Sequence, residues 1–303
     1  MGKSLNWYLR RHPILFKIRY KLVSKKVAIT QIENYCYNAI NQKQDIPSLF
    51  FEVNHTIFGK KHKQRTDIEK AQKIAKWLKN NIPGGPGLGK SSLKALQKML
   101  NSEGGVCSDL AQVFNNFCVI NDLKVKEWGL KIETDNKNLS GGHSFNEIYS
   151  NELNKWILID VAKSILFYTK TQNNPLSVLE LMHSKQRNQE IQFSTFNKKK
   201  PLDEQRVRDL YCHASSSPFL ITHYNNKIYD IFLDTFGFLP ESIIHALVYL
   251  TGNSYKYEFP ITINNQAEVN LSLFHFQSLF TEWVSTCPKI FLPDLIRAIL
   301  VGK

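Results

Sequence analysis

Three side chains could together perform nucleophilic chemistry, namely Cys107, His143 and Asp160. Pairs of glycines stand just before Cys107 and His143, and Asp160 ends an apolar run over residues 156–159. Taken singly, each of these residue types is more often structural than catalytic. Together, in this order, they supply a nucleophile, a base and a carboxylate that orients the base, which are the parts needed for covalent acyl transfer.

Helical periodicity begins at Cys107. Leu110, Val113, Phe114 and Phe117 share one face at the spacing of an α-helix, which predicts a buried central helix with the thiol in its first turn. The unpaired N–H groups and the positive end of the helix dipole favour the thiolate, which is the nucleophilic form. The same N–H groups could form part of an oxyanion hole.

Strand-like segments follow the helix, over residues 125–132, 143–149 and 155–161. The polar turn over residues 150–154 predicts that the last two form an antiparallel hairpin. In such a hairpin Asp160 can lie close to His143, where it would fix the imidazole tautomer and stabilise the imidazolium.

Residues 68–161 resemble the core of the transglutaminase-like superfamily, whose papain-like site runs Cys, His, Asp in chain order. The gaps of 36 residues from Cys107 to His143 and 17 from His143 to Asp160 resemble its compact bacterial members. The resemblance implies Cys107 as nucleophile, His143 as base and Asp160 as orienter. The segments that carry it are 75–78, 92–96, 105–111, 142–148 and 155–160.

The sequence departs from the family pattern at two places. Phe145 stands where the family often has Trp, and Val161-Ala162 stand where Pro is usual. Two related types of enzyme fit less well. Arylamine N-acetyltransferases would need Arg where Glu103 stands, and peptide:N-glycanases typically bring paired CxxC zinc ligands, which this sequence lacks.

The expected function is thiol-dependent acyl transfer on an amide or ester through a thioacyl intermediate, with water or an amine as acceptor. The expected substrate is a protein or a peptide-like amide, with no cofactor and no metal. The alternative is a catalytically silent module of the same fold that uses the cleft or the basic N-terminal arm to bind a protein, an anionic polymer or a membrane surface.

The expected fold class is α+β, a papain-like core in which a central helix packs on an antiparallel sheet. We expect a basic, mostly helical extension over residues 1–64, the catalytic core over 65–170, and an α-rich extension or second domain over 171–303. We further expect a capping box at 30–33, a loop over 44–66 and a helix that Asp67 caps. Helices are also expected over 91–100, 175–181 and 241–250, and at the end of 286–303.

Composition is that of an ordinary globular protein, with 43% hydrophobic and 21% charged residues among 303. No run approaches the roughly 18 apolar residues of a membrane span. Charges interrupt the N-terminal apolar residues, so we expect a cytoplasmic protein. The odd number of cysteines and their wide spacing disfavour a disulfide scaffold or a structural zinc site. These are Cys36, Cys107, Cys118, Cys212 and Cys287.

Positive charge is concentrated at the N-terminus. Residues 1–32 contain eight Lys or Arg and no acid, against a net charge of +13 for the chain. This arm could contact an anionic surface weakly, or it could be a solvated helix whose apolar residues pack on the main body. No pattern of a nucleic-acid fold accompanies it, so we expect no specific nucleic-acid partner.

Two other patterns imitate functional motifs. Residues 84–91 satisfy the phosphate-binding pattern G-x-x-x-x-G-K-S, but an amphipathic helix precedes them where the mechanism requires a strand. Cys212-His213 is a second Cys/His pair, without a flanking glycine or a helix start. We therefore expect neither to be the site.

Overall fold

The computed structural model describes residues 20–59, 65–132, 142–170, 173–199, 201–213 and 215–261. The predictions for the basic residues 1–19 and for a helix at the end of 286–303 lie outside these ranges, as does Cys287. The described residues up to Pro260 belong to one compact unit.

Helices and strands follow one another as a mixture from residue 24 to residue 260. The helices are α1 (Ile29–Asn34), α2 (Ser48–Phe58), α3 (Asp67–Asn81), α4 (Ser92–Leu100), α5 (Cys107–Ile120), α6 (Val178–Gln186), α7 (Glu204–Tyr211), α8 (Asn226–Thr235) and α9 (Glu241–Leu250). The strands are β1 (Ser24–Val27), β2 (Val125–Ile132), β3 (His143–Ser150), β4 (Lys155–Asp160), β5 (Ile165–Thr169), β6 (Ile191–Thr195), β7 (Ser216–Thr222) and β8 (Lys256–Pro260).

The eight strands form one sheet in the order β1-β8-β7-β2-β3-β4-β5-β6. All neighbours are antiparallel except β1 and β8, which pair in parallel. The fold is therefore α+β with a mainly antiparallel sheet, as expected.

Strand alternation divides the apolar residues of the sheet between two cores. Ile157 and Ile159 join a cluster with residues of α2, α3 and α5, whereas Leu158 between them joins a cluster with residues of α6 and α7. Helix α5 contacts β2, β3 and α3, and most of its residues are buried. The predicted central helix on the sheet is thus present, and it begins at Cys107.

The hairpin that carries His143 and Asp160 also forms as predicted. The register pairs Asn146 with Ile159 and Ser150 with Lys155, and the strand bounds differ from the predicted ones by one residue at most. This register places Asp160 near the beginning of β3, where His143 lies.

Two predictions before residue 66 are wrong. The range 44–66 was expected to be a loop, but it contains α2, because Phe50, Val53 and Ile57 are spaced for burial on one helical face. The capping box at 30–33 is absent, since α1 begins at Ile29 with Ala28 as its N-cap and no side-chain cap.

Helix α3 is capped one residue earlier than predicted. Thr66, rather than Asp67, accepts the N–H of Glu69, and Glu69 accepts the N–H of Thr66 in return. Asp67 instead accepts the N–H of Asn151, so it fastens the helix to the turn of the hairpin.

The described part of residues 171–303 contains four helices and three strands. Strand β7 lies between β8 and β2, and β6 ends the sheet beside β5. This part of the chain therefore completes the sheet that carries His143 and Asp160. No helix among the described residues is long and apolar enough to cross a membrane.

Candidate active site

Cys107 is the first residue of α5, and a tight glycine turn leads to it. Gly104 has a φ of +79°, and a Cβ there would lie 2.9 Å from the Cα of Gly85. The N–H of Gly85 donates to the carbonyl of Gly105, and the N–H of Gly105 donates to that of Pro83. The close approach of these two segments requires glycine at 104, and it fixes the backbone just before the thiol.

Asp109 holds the start of α5 in place. Its carboxylate accepts the N–H of Val106 at 3.0 Å and the N–H of Leu88 at 3.2 Å, and the side chain is buried. Residues 84–91 thus direct one of their N–H groups to a carboxylate of this chain, and a helix precedes them. The segment that matches the phosphate-binding pattern therefore forms part of the wall around Cys107.

We predict that Asp109→Ala lowers the free energy of unfolding by about 2 kcal/mol, because two N–H donors lose their acceptor at a helix start. Urea unfolding measures this change. Asp203→Ala is the matched control, since Asp203 caps the exposed start of α7 through a single N–H, that of Arg206. An equal or larger loss in the control would contradict the assigned role.

His143 and Asp160 form a buried pair. The Nε2 atom of His143 lies 2.7 Å from Oδ2 of Asp160, and Asp160 is fully buried. Two further donors reach the same carboxylate: the N–H of Lys163 at 2.9 Å and the hydroxyl of Tyr211 at 2.8 Å. Because Asp160 accepts three hydrogen bonds, its orientation toward the imidazole is fixed.

The sulfur of Cys107 lies within hydrogen-bonding reach of the other side of His143. The imidazole bonds to the sulfur, and the backbone N–H of Ser144 donates to it as well. Burial alone would raise the pKa of Cys107, but the hydrogen bond and positive charge of His143 outweigh it, so the pKa is lowered. These contacts stabilise the thiolate.

The imidazole is held in its charged form. Burial lowers the pKa of His143, but the negative charge and hydrogen bond of Asp160, together with the sulfur of Cys107, raise it to about 10. Burial would raise the pKa of Asp160, whereas His143, Lys163 and Tyr211 together lower it. The three groups can therefore exist as thiolate, imidazolium and carboxylate at neutral pH.

Tyr211 is a member of the site that the sequence did not reveal. It is the last residue of α7, it is buried, and its ring stands edge-on to the ring of His143 at 5.9 Å. It directly precedes the Cys212-His213 pair that was set aside. Tyr211 follows Asp160 by 51 residues, and no local pattern connects the two.

We expect Tyr211→Phe to slow alkylation of Cys107 about three- to tenfold and to cost about 1–2 kcal/mol of stability, because Asp160 loses one donor. The rate and its pH profile are compared with those of Tyr229→Phe, another buried tyrosine whose hydroxyl accepts the N–H of Tyr255. Only Tyr211→Phe should change the rate. Equal alkylation rates in the two variants would show that Tyr211 only packs against its neighbours and does not position Asp160.

A cleft of about 370 Å³ opens beside Cys107 and His143. Gly84 and Gly105 form one wall, and Lys163 in the turn between β4 and β5 lines the other. Residues 201–203, which precede α7, also line the cleft. The described residues hold no group of three His, Cys, Asp or Glu side chains that could bind a metal ion.

The fold and the geometry define a class, an α+β protein with a Cys–His–Asp set at a helix start beside a cleft. Residues 55–161 match the model of the transglutaminase-like superfamily. The matched range contains Cys107, His143 and Asp160. The family model thereby confirms the resemblance noted in the sequence, for residues 55–161. The match covers about a third of the chain and does not reach Tyr211.

Among solved structures, the chain is similar to a protein from Cytophaga hutchinsonii that is named as a proposed cysteine protease. The two are 14% identical, with a TM-score of 0.30. The similarity covers 51% of this chain and 53% of the other, so it spans about half the length of each. No curated protein is significantly similar to the chain.

Proposed function

We propose that this protein transfers acyl groups from an amide or ester through a thioester on Cys107. One observation carries the proposal: the unbroken series of contacts from the carboxylate of Asp160 through the imidazole of His143 to the sulfur of Cys107. The superfamily of residues 55–161 supports it.

In the first step the thiolate of Cys107 attacks the carbonyl carbon, a C–S bond forms, and the electron pair of the carbonyl moves to its oxygen. The tetrahedral intermediate then collapses, the bond to the leaving group breaks, and His143 gives its proton to that group. Asp160 keeps the imidazole oriented and stabilises its charged form throughout.

In the second step water or an amine gives a proton to His143 and attacks the thioester. The C–S bond breaks, the sulfur leaves as a thiolate, and the imidazolium is restored. The acyl group ends on water, which is hydrolysis, or on the amine, which is transamidation.

The start of α5 can stabilise the negative charge on the carbonyl oxygen. The N–H groups of the first turn, including those of Cys107 and Ser108, have no acceptor within the helix. They lie beside the sulfur, so they can donate to the oxyanion at no cost of reorganisation. Loss of one such donor typically slows a reaction about 10²–10³-fold.

The substrate that fits this chemistry is a protein or a peptide-like amide. The glycine wall of the cleft allows close approach of an extended backbone, since Gly84 and Gly105 present no side chains beyond hydrogen. Specificity would come from the loops that form the other walls.

Acylation by p-nitrophenyl acetate tests the proposal. We expect a burst of nitrophenolate equal to one acetyl group per chain, and mass spectrometry of peptides should find that acetyl group on Cys107. The variant Cys107→Ala should show no burst. A wild-type chain that is folded yet gives no acetylated Cys107 would overturn the proposal in favour of a binding module.

A further inference from the structure

A second cavity, of about 190 Å³, lies next to the catalytic pair. Ser108 and Ser144 line it, and they directly follow Cys107 and His143. The backbone N–H of Ser144 donates to the sulfur of Cys107, so the wall of this cavity and the thiol share one residue.

The two cavities lie on opposite sides of the catalytic pair along the sheet. The first is lined by residues 162–164, between β4 and β5. The second is lined by residues of β2, β7 and β8, including Glu127, Ile221 and Tyr257. Because β3 lies between β2 and β4, a substrate that crosses Cys107 and His143 would extend from one cavity toward the other.

Glu127 lines the second cavity with an incompletely satisfied carboxyl group. The side chain is 8% exposed. One of its oxygens accepts from Nδ2 of Asn115 at 2.7 Å, and the other has no hydrogen-bond partner among the described residues. A carboxyl group in a side chain this deeply buried loses most of its hydration, and a ligand in the cavity with an N–H donor would offset that cost.

The rest of the lining also suits a cation. Asp109 and Glu241 contribute two more carboxyl groups against one amine, that of Lys90. His245 bonds to Glu241 through Nε2, and its Nδ1 is buried without a partner among the described residues. Tyrosine rings complete the wall and can face a cation with their π-systems. These are Tyr224, Tyr255 and Tyr257.

From these observations we propose that the second cavity is a subsite for a cationic nitrogen group of the substrate, with Glu127 as its main partner. The proposal rests on the proposed function, since it places this group across the reacting carbonyl from the first cavity. A protonated primary amine is the simplest occupant: its N–H groups can donate to the carboxyl group of Glu127, and its charge is opposite to that of the carboxylates in the lining.

The ionisation of Glu127 gives this proposal a distinctive signature. Burial raises the pKa of Glu127 to about 8; the hydrogen bond from Asn115 opposes this rise, and the charge of Asp109 adds to it. Raising the pH from 7 to 9 therefore converts the carboxyl group from mostly protonated to mostly ionised. An alkylamine stays protonated over this range. The other titratable groups that interact with Glu127 are Tyr35, Tyr37 and Tyr224.

The test is a titration of the full-length Cys107→Ala variant with n-butylammonium. Ligand-observed NMR measures the affinity at each pH. This variant has no nucleophile, so the result is independent of acyl transfer, whose own failure would appear with p-nitrophenyl acetate. We expect the affinity to rise several-fold from pH 7 to pH 9, and n-butanol to show no such rise. In the double variant Cys107→Ala, Glu127→Gln, the affinity for n-butylammonium should no longer rise with pH.

Glu204→Gln on the same background is the matched control, because it removes the same charge from the exposed first turn of α7. It should keep the pH dependence of the Cys107→Ala variant. The proposal is overturned if n-butanol binds as well as n-butylammonium at pH 9, if Glu127→Gln retains the rise, or if Glu204→Gln loses it.

Discussion

Replacing Cys107 with alanine is expected to abolish alkylation of that site and to lower labelling of the chain by an iodoacetamide-type probe about tenfold or more near neutral pH. The reason is that only a thiolate reacts quickly, and His143 with the N–H of Ser144 stabilises the thiolate at Cys107. Burial has the opposite effect on two other cysteines, since it raises the pKa of both Cys118 and Cys212.

The measurement is the initial rate of labelling, with the modified peptides identified by mass spectrometry. Cys212→Ala is the matched control, because Cys212 is also partly buried and directly follows α7, and the charged side chains that act on its thiol are those of Arg208 and Lys185. Its loss should leave the rate unchanged. Equal labelling of wild type and Cys107→Ala would show that Cys107 is not the reactive thiol.

Replacing Asp160 with asparagine is expected to slow alkylation of Cys107 by about two to four orders of magnitude near neutral pH. Asparagine cannot stabilise the imidazolium, and its amide N–H can donate to Nε2 of His143, which selects the wrong tautomer. The pKa of Cys107 should then rise toward that of a free thiol, because its positive partner is lost.

The second-order rate constant for iodoacetamide, measured at several pH values, checks this expectation. Asp230→Asn is the matched control, since Asp230 is a partly buried carboxylate that accepts from the N–H and the hydroxyl of Ser92. Both variants should lose stability, and only Asp160→Asn should lose reactivity. A similar fall in both would mean that the effect comes from folding alone.

Local sequence patterns were sufficient for the elements that carry Cys107, His143 and Asp160. Helical spacing after Cys107 and alternation around a polar turn are short-range properties; they predicted that a helix starts at Cys107, and they predicted the strands of the hairpin to within one residue. The geometry between the three side chains then followed from packing α5 on β2 and β3, which both belong to the predicted core.

Other parts of the site depend on contacts that a single sequence does not encode locally. Tyr211 reaches Asp160 only because α7 packs against the sheet, and β7 completes the wall near Glu127 by pairing with β2 across a long separation in the chain. Asp109 was a partial exception. An acidic residue three positions after the N-cap is a recognised capping signal, and it could have indicated the bond to Val106.

The pH dependence of alkylation at Cys107, measured by mass spectrometry on the wild-type chain, tests the central claim most directly. With His143 beside it, the thiolate should persist to a pH below the pKa of about 8.5 of a free cysteine, so the rate should fall off at a lower pH than that of a free thiol and level off toward alkaline pH. In His143→Ala the profile should move up to that of an ordinary thiol. A wild-type profile that coincides with that of a free thiol, or one that His143→Ala leaves unchanged, would contradict the coupling of Cys107 to His143.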